Sequence, residues 1–251
     1  MKCLIIHGSP RRGNTWDVLN RVKEEMQKSS NFEFEVIELS KEKIPMCIGC
    51  FNCIKNGEKK CPHNLYIEPI VKKMEEADAF IITTPVYSMQ VSGTLKNFID
   101  HMSYNFHRPK FYNKKVLIIT TTAGAGHTNT AKYIQKVMSY WNVNYIQTLP
   151  IAYRGTKLSN KNINKIIKGA KTFSKELNSH KIHEPKLKSL IMFQVWKNLS
   201  KEDNFSIADF KYWNNDFLNK NLYFEDIPVG ATKRLIASIF KKYFKRIRKG
   251  I

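Results

Sequence analysis

Five short apolar runs separated by stretches of helical spacing constrain this chain more than any other feature. They are Leu4-Ile5-Ile6, Glu33 to Leu39, Ala79 to Thr84, Val116 to Thr121 and Val143 to Leu149. Between them, Val18, Leu19, Val22 and Met26 recur on one side of an expected helix. Further helices are expected at Ile67 to Glu76, Gly93 to Met102 and Thr128 to Tyr140. Buried strands that alternate with helices imply a parallel sheet covered on both faces, because each crossover brings the chain back to the same edge. The expected fold class is therefore a doubly wound α/β domain. In such sheets ligands bind at the carboxyl edge, where the loops after the first, third and fourth strands converge.

The loop after the first strand has the chemistry of an anion site. His7-Gly8-Ser9-Pro10-Arg11-Arg12-Gly13-Asn14-Thr15 is polar, bears glycine and opens a helix. Its backbone N–H groups, the side chains of Ser9, Asn14 and Thr15, and the partial positive charge of the helix start all favour a phosphate. Arg11 or Arg12 adds a charge-assisted contact. Gly-x-Gly-x-x-Gly is absent, as is the Gly-Lys-Ser/Thr ending of a triphosphate loop, so neither an ordinary NAD fingerprint nor an ATPase is indicated.

A second cluster follows the second strand. Cys47, Cys50, Cys53 and Cys61 are spaced C-x2-C-x2-C-x7-C, with Gly49 and Gly57 where the loop must bend. Four soft thiolates suit an iron–sulfur cluster or zinc. Three closely spaced cysteines favour iron and sulfur over the two separated pairs usual for structural zinc, and free or redox-active thiols are the remaining reading. The fifth cysteine, Cys3, lies in an apolar run where a buried thiol is ordinary.

These residues together resemble the flavodoxin-like family of NAD(P)H-dependent FMN reductases, and within it the iron–sulfur flavoprotein branch. Gly8 to Thr15 is similar to that family's FMN-phosphate loop. Thr84-Pro85-Val86-Tyr87-Ser88 and Gly93 to Asp100 resemble the segment that lines the isoalloxazine ring and starts the next helix. The resemblance covers roughly residues 1 to 150 and implies a five-stranded sheet of order 2-1-3-4-5. It also implies that Ser9, Arg11, Gly13, Asn14 and Thr15 hold the FMN phosphate, that Pro85, Val86, Tyr87, Ser88 and Gly124 face the ring and ribityl chain, and that the cysteines carry a [4Fe-4S] cluster. The flavin supplies the redox chemistry, so no side chain need act as an acid. His127, after Gly124-Ala125-Gly126, reads as a polar helix start before it reads as a flavin neighbour. The implied function is an FMN-dependent oxidoreductase, with NAD(P)H or a protein as electron donor, in a homo-oligomer whose flavin and cluster can belong to different subunits. The alternatives are a reductase without a cluster and a non-enzymatic electron carrier or redox sensor.

Composition sets the remaining limits. At 251 residues, with 42% hydrophobic and 12% aromatic content, the chain can build one substantial core and an appendage. We expect an FMN-binding domain over residues 1–180, with the cysteine loop at 47–61, and a C-terminal extension over 181–251. The link between them, Ser179 to Pro185, is polar, and His180 and His183 in it are expected to be solvated. Reduced cysteines without a targeting segment point to the cytoplasm. The formal net charge of +21 attracts anions, yet no zinc finger, RNP motif or helix-turn-helix accompanies it, so specific nucleic-acid binding is not expected. The final helix, about Thr232 to Lys249, carries an apolar stripe (Leu235, Ile236, Ile239, Phe240, Tyr243, Phe244, Ile247) among crowded basic residues. That stripe is expected to dock on the core, on another subunit or on anionic membrane.

Overall fold

The apolar runs form one parallel sheet. In the computed structural model, which describes residues 1–202 and 205–249, the strands are β1 (Lys2–His7), β2 (Glu33–Glu38), β3 (Ala79–Pro85), β4 (Lys115–Thr122) and β5 (Tyr145–Ala152). They are arranged β2-β1-β3-β4-β5, the order expected, with every pairing parallel. Alternate residues of each strand serve opposite layers. Leu4, Ile6, Phe80, Ile82, Val116 and Ile118 pack against α3 (Asn64–Glu76), α4 (Gly93–His101) and α5 (His127–Tyr140). Cys3, Ile5, Ala79, Ile81, Leu117 and Ile119 pack against α1 (Asn14–Gln27) and α6 (Asn160–Asn178). A four-residue helix, α2 (Asn52–Lys55), lies within the cysteine loop.

The last strand begins and ends later than its apolar run suggested. Asn142 adopts φ of 57° and the Val143 N–H donates to the Met138 carbonyl at 3.1 Å, so the first residues of the run close the end of α5. Pro150 does not stop β5, because an edge strand has one side on which a missing N–H breaks no ladder.

Beyond α6 the chain forms α7 (Leu187–Leu199), α8 (Ile207–Trp213), α9 (Asp216–Lys220) and α10 (Ala231–Lys249). Leu190, Phe193, Trp213, Leu218, Tyr223, Phe224, Ile227 and Ala237 make a third apolar cluster there, and Tyr112 of the core stacks on Phe224 at 3.8 Å. His183 is held by Glu176 at 2.8 Å and stacks on Tyr145, where the sequence had suggested a solvated side chain, because the link folds back along α6. The side chains of Phe217, Phe244 and Ile247, and of the basic residues 245, 246, 248 and 249, lie outside the described residues.

Candidate functional site

The turn after β1 is fixed by neighbours that no local motif contains. A Cβ at Gly8 would lie 2.8 Å from Leu95 Cβ and 3.0 Å from the Thr83 carbonyl oxygen, so only glycine lets β1 end this close to α4. The Gly8 N–H donates to Thr83 O at 2.8 Å. Its carbonyl accepts from Ser92 Oγ, which also N-caps α4, and from Thr94 Oγ1 at 2.9 Å. Ser9 is buried, and its hydroxyl donates to Arg11 O at 2.7 Å while accepting from the Arg11 N–H at 3.3 Å.

Gly13 starts α1 without a side-chain cap. The N–H groups of Asn14 and Thr15 therefore have no intrahelical acceptor and face the direction from which an anion is bound. The Thr15 hydroxyl is tied to Thr121 Oγ1 of β4 at 2.6 Å, which leaves its N–H as the group available to a phosphate. The two arginines differ. Arg12 forks onto Glu38, with Nη2 at 2.6 Å from Oε1, and lies over Trp16 at 4.3 Å. Hydrogen bonds from Arg12 and Lys41 hold the Glu38 carboxyl at about 2. Arg11 is exposed, with no acid partner among the described residues.

The loop after β3 is a two-residue hairpin. Tyr87 and Gln90 exchange N–H···O bonds at 2.9 Å, and Ser88 and Met89 both take left-handed backbone, φ 46° and 68°. That is the geometry of a type I′ turn, which usually recruits Asn or Gly, so two side-chain-bearing residues are held here under local strain. Val86 N–H donates to Thr121 O at 2.8 Å. Gly126, at φ +89°, backs onto Val86 and Met89, where an added Cβ would lie 3.1 Å from each side chain. Gly124 faces open space. Ser9, Arg11, Gly13, Asn14 and Thr15 thus share one sheet edge with Pro85, Val86, Tyr87, Ser88 and Gly124, over the adjacent strands β1, β3 and β4. An uncapped helix start, a glycine-only close approach and an open glycine are the features a flavin phosphate and ring need.

His7, Ser92 and Thr94 also shape this edge and were not singled out from sequence. His7 is buried at the end of β1, with Nδ1 2.7 Å from Thr83 Oγ1, its ring edge-on to Trp16 and its Nε2 without a protein partner. Burial lowers its pKa and favours the neutral ring. His127 sits at the start of α5 with Nδ1 buried and unpartnered, and burial lowers its pKa too.

The cysteine loop is suspended differently. Gly49 and Gly57 have φ of +63° and +106°, the bends their positions suggested, and Phe51 adds a third at 59° before α2. Cys47, Cys50, Cys53 and Cys61 line one cavity of about 270 Å³, together with His63, His101 and Ser103. Cys61 Sγ lies 3.9 Å from His101 Nδ1, and Cys53 Sγ 3.9 Å from Ser103 Oγ. Burial pushes the Cys53 and Cys61 thiols up. Among the described residues no three His, Cys, Asp or Glu side chains stand together as ligands of a single metal ion.

Side chains from outside hold this loop. Asn97 of α4 accepts from the Cys47 N–H at 2.9 Å and donates to the carbonyls of Ile44 and Pro45 at 3.2 and 3.0 Å. His101, one turn on, donates through Nε2 to the Pro45 carbonyl at 2.9 Å. A polar pair spaced i, i+4 beside buried Leu95, Phe98 and Ile99 is the signal that could have found them. Arg108, 2% exposed, donates to the carbonyls of Ile54 at 2.9 Å and Cys53 at 2.6 Å and pairs with Asp209 of α8. Ser206 Oγ, which caps α8, also donates to Ile54 O at 2.8 Å.

Comparisons with known proteins bear on the family and the fold. The sequence model of the NADPH-dependent FMN reductase family matches residues 1–154. An iron-sulfur flavoprotein of Archaeoglobus fulgidus is 34% identical over 155 residues, covering 61% of this chain and 67% of that protein. One from Methanocaldococcus jannaschii is 41% identical over 105 residues, 40% of this chain and 51% of its own length. The chain thus spans about two thirds of the first and half of the second. Among solved structures, an FMN-dependent NADH-azoreductase from Bacillus anthracis in complex with FMN superposes with a TM-score of 0.55 at 16% identity, covering 70% of this chain and 99% of that one, a likeness of fold.

Proposed function

This chain belongs to the NADPH-dependent FMN reductase family, in its iron–sulfur flavoprotein branch, and from that premise we propose an electron-transfer flavoenzyme that couples FMN to a [4Fe-4S] cluster. FMN when bound would supply hydride and single-electron chemistry, and a cluster held by the four cysteines would supply a one-electron centre beside it. The protein's part is placement. The N–H groups of Asn14 and Thr15 and the Arg11 guanidinium bind the phosphate. The left-handed Tyr87–Gln90 turn and Gly124 present main chain and the Tyr87 ring to the flavin. Cys47, Cys50, Cys53 and Cys61 ligate the irons.

The observation that carries the reading is that one helix serves both loops. Ser92 and Thr94 at the start of α4 hold the proposed phosphate turn, and Asn97 at its middle and His101 at its end hold the cysteine loop. Seven helical steps take the chain from Thr94 to His101, a rise of about 10 Å. Exposed Met46, Ile48, Phe51, Tyr87 and Met89 border the two loops and support a homo-oligomer in which a second copy covers them. NAD(P)H, the family's reductant, or a protein donor supplies the electrons.

The test is an anaerobic purification followed by absorption spectroscopy, iron and sulfide analysis, and NAD(P)H oxidation with several acceptors. Flavin with about four irons per chain is expected. Flavin with negligible iron would remove the cluster and leave the reductase. Flavin reduction without turnover of any acceptor would point instead to a carrier or redox sensor.

A further inference from the structure

Helix α10 carries more apolar surface than its packing on α7 covers. Ala237 is fully buried, and Ile236 and Phe240 are partly buried, so this edge faces the extension's own core. Leu235 and Ile239 do not. They are 64% and 58% exposed and lie one turn apart on a second stripe that continues to Tyr243. At about 100° per residue this stripe is centred roughly a quarter turn from the buried edge, and exposed Lys242 falls beside Leu235.

The helix's own charge has one sign, and at its start Lys233 is paired with Glu184 at 2.8 Å. The 19 residues Ala231–Lys249 include eight lysines and arginines and no Asp or Glu. The neighbourhood is already crowded with cations: burial pushes Lys197 of α7 down to about 8, and Lys241 and Lys201 push it the same way. A second copy of this chain would bring the same excess of positive charge to the contact, whereas an anionic bilayer brings the opposite charge and an apolar interior.

We infer that α10 is a membrane-docking helix for surfaces rich in anionic lipid. Leu235 and Ile239 enter the boundary between headgroups and acyl chains, and Lys241 and exposed Lys242 beside them meet lipid phosphates. No helix among the described residues is long and apolar enough to cross a membrane, so this helix would lie in the surface plane. The contact stands independently of the redox reading, since it uses no residue placed at the flavin or cysteine sites.

The test is sedimentation of the full-length flavin-bound protein with vesicles of phosphatidylcholine, with and without phosphatidylglycerol. Binding is expected only when phosphatidylglycerol is present, with release at high salt. Lys241→Gln with Lys242→Gln should lower the partition coefficient roughly thirty-fold. Leu235→Glu with Ile239→Glu, at exposed positions, should abolish binding while the flavin spectrum and far-ultraviolet circular dichroism stay unchanged. Failure to pellet, or equal pelleting with neutral vesicles, overturns the proposal. So does self-association that the Leu235 and Ile239 changes abolish, which assigns the stripe to a second copy, and so does duplex DNA binding that depends on the lysines alone with no vesicle binding.

Discussion

The proposed flavin edge is tied to the start of α4 and the cysteine loop to its middle and end, and the two are built on different plans. The flavin edge is main chain set by the sheet: three adjacent strand ends, an uncapped helix start and loops tied by Gly8–Thr83 and Val86–Thr121 backbone bonds. The cysteine loop leaves β2, has the short α2 and a single 3-10 turn at Glu58–Lys60 of its own, and is held by the side chains of Asn97, His101, Arg108 and Ser206. A site made of strand ends inherits the stability of the sheet. One hung on side chains from remote segments can be lost while the fold and the other site survive.

The largest break in that symmetry should come at Arg108. Replacing it with Leu leaves Asp209, 3% exposed, without its guanidinium partner and removes donors from the carbonyls of Cys53 and Ile54. Breaking one side of a buried pair costs about 3 to 5 kcal/mol. Thermal melting should show that loss. FMN titration should stay near wild type while anaerobic iron incorporation fails; equal loss of both would show that the two sites are one cooperative unit. The network is also acid-sensitive. Burial alone pushes the Asp209 carboxyl up, but the His107 hydrogen bond and the Arg108 and His107 charges outweigh it, so the net displacement is down. Its contribution is complete above the unfolded value, about pH 4, and is lost as pH falls through the lower folded value. The stability gap between wild type and Asp209→Asn should therefore close as pH falls below about 4.

A smaller effect is expected at Asn97. Asn97→Ala removes three hydrogen bonds to residues 44–47, some partly open to water, and should cost about 1 to 3 kcal/mol. Its signature is local: Cys47 should react faster with a thiol reagent while Cys3, fully buried in β1, stays silent. Uniform acceleration at all cysteines would mean that Asn97 supports the fold rather than the loop.

The same contrast explains what the sequence disclosed. Strands and helices were legible because burial on both sheet faces writes apolar runs and helical spacing into adjacent residues. The phosphate turn and the cysteine spacing were legible because each is continuous in the chain. Arg108 and Asp209 are 101 residues apart, and nothing near either announces the other. Nor did the polar link at Ser179 to Pro185 disclose that α8 beyond it reaches back to the carbonyl of Ile54. The turn strain at Ser88 and Met89 was invisible because neither residue is a usual left-handed one.

The smallest effect concerns the proposed flavin edge itself, where residue chemistry alone left Arg11 and Arg12 equivalent and the family resemblance chose Arg11. Arg12 is engaged by Glu38 and Trp16, and on the proposed reading the phosphate contact is Arg11's. Arg11→Ala should weaken FMN binding by a few-fold to about ten-fold, an exposed charge being partly screened, and the loss should shrink with salt. Arg12→Ala should change affinity less, and for a different reason. It removes one of the two cations that hold Glu38 ionised and leaves that carboxylate, still bonded to Lys41 at 2.7 Å, beside the turn. If that added negative field is the whole effect, Glu38→Gln in the Arg12→Ala background restores wild-type affinity in a flavin fluorescence titration. If it does not, and Arg12→Ala is the more damaging change, then Arg12 leaves Glu38 to bind the phosphate, and the turn is a site that rearranges on binding rather than one the sheet holds ready.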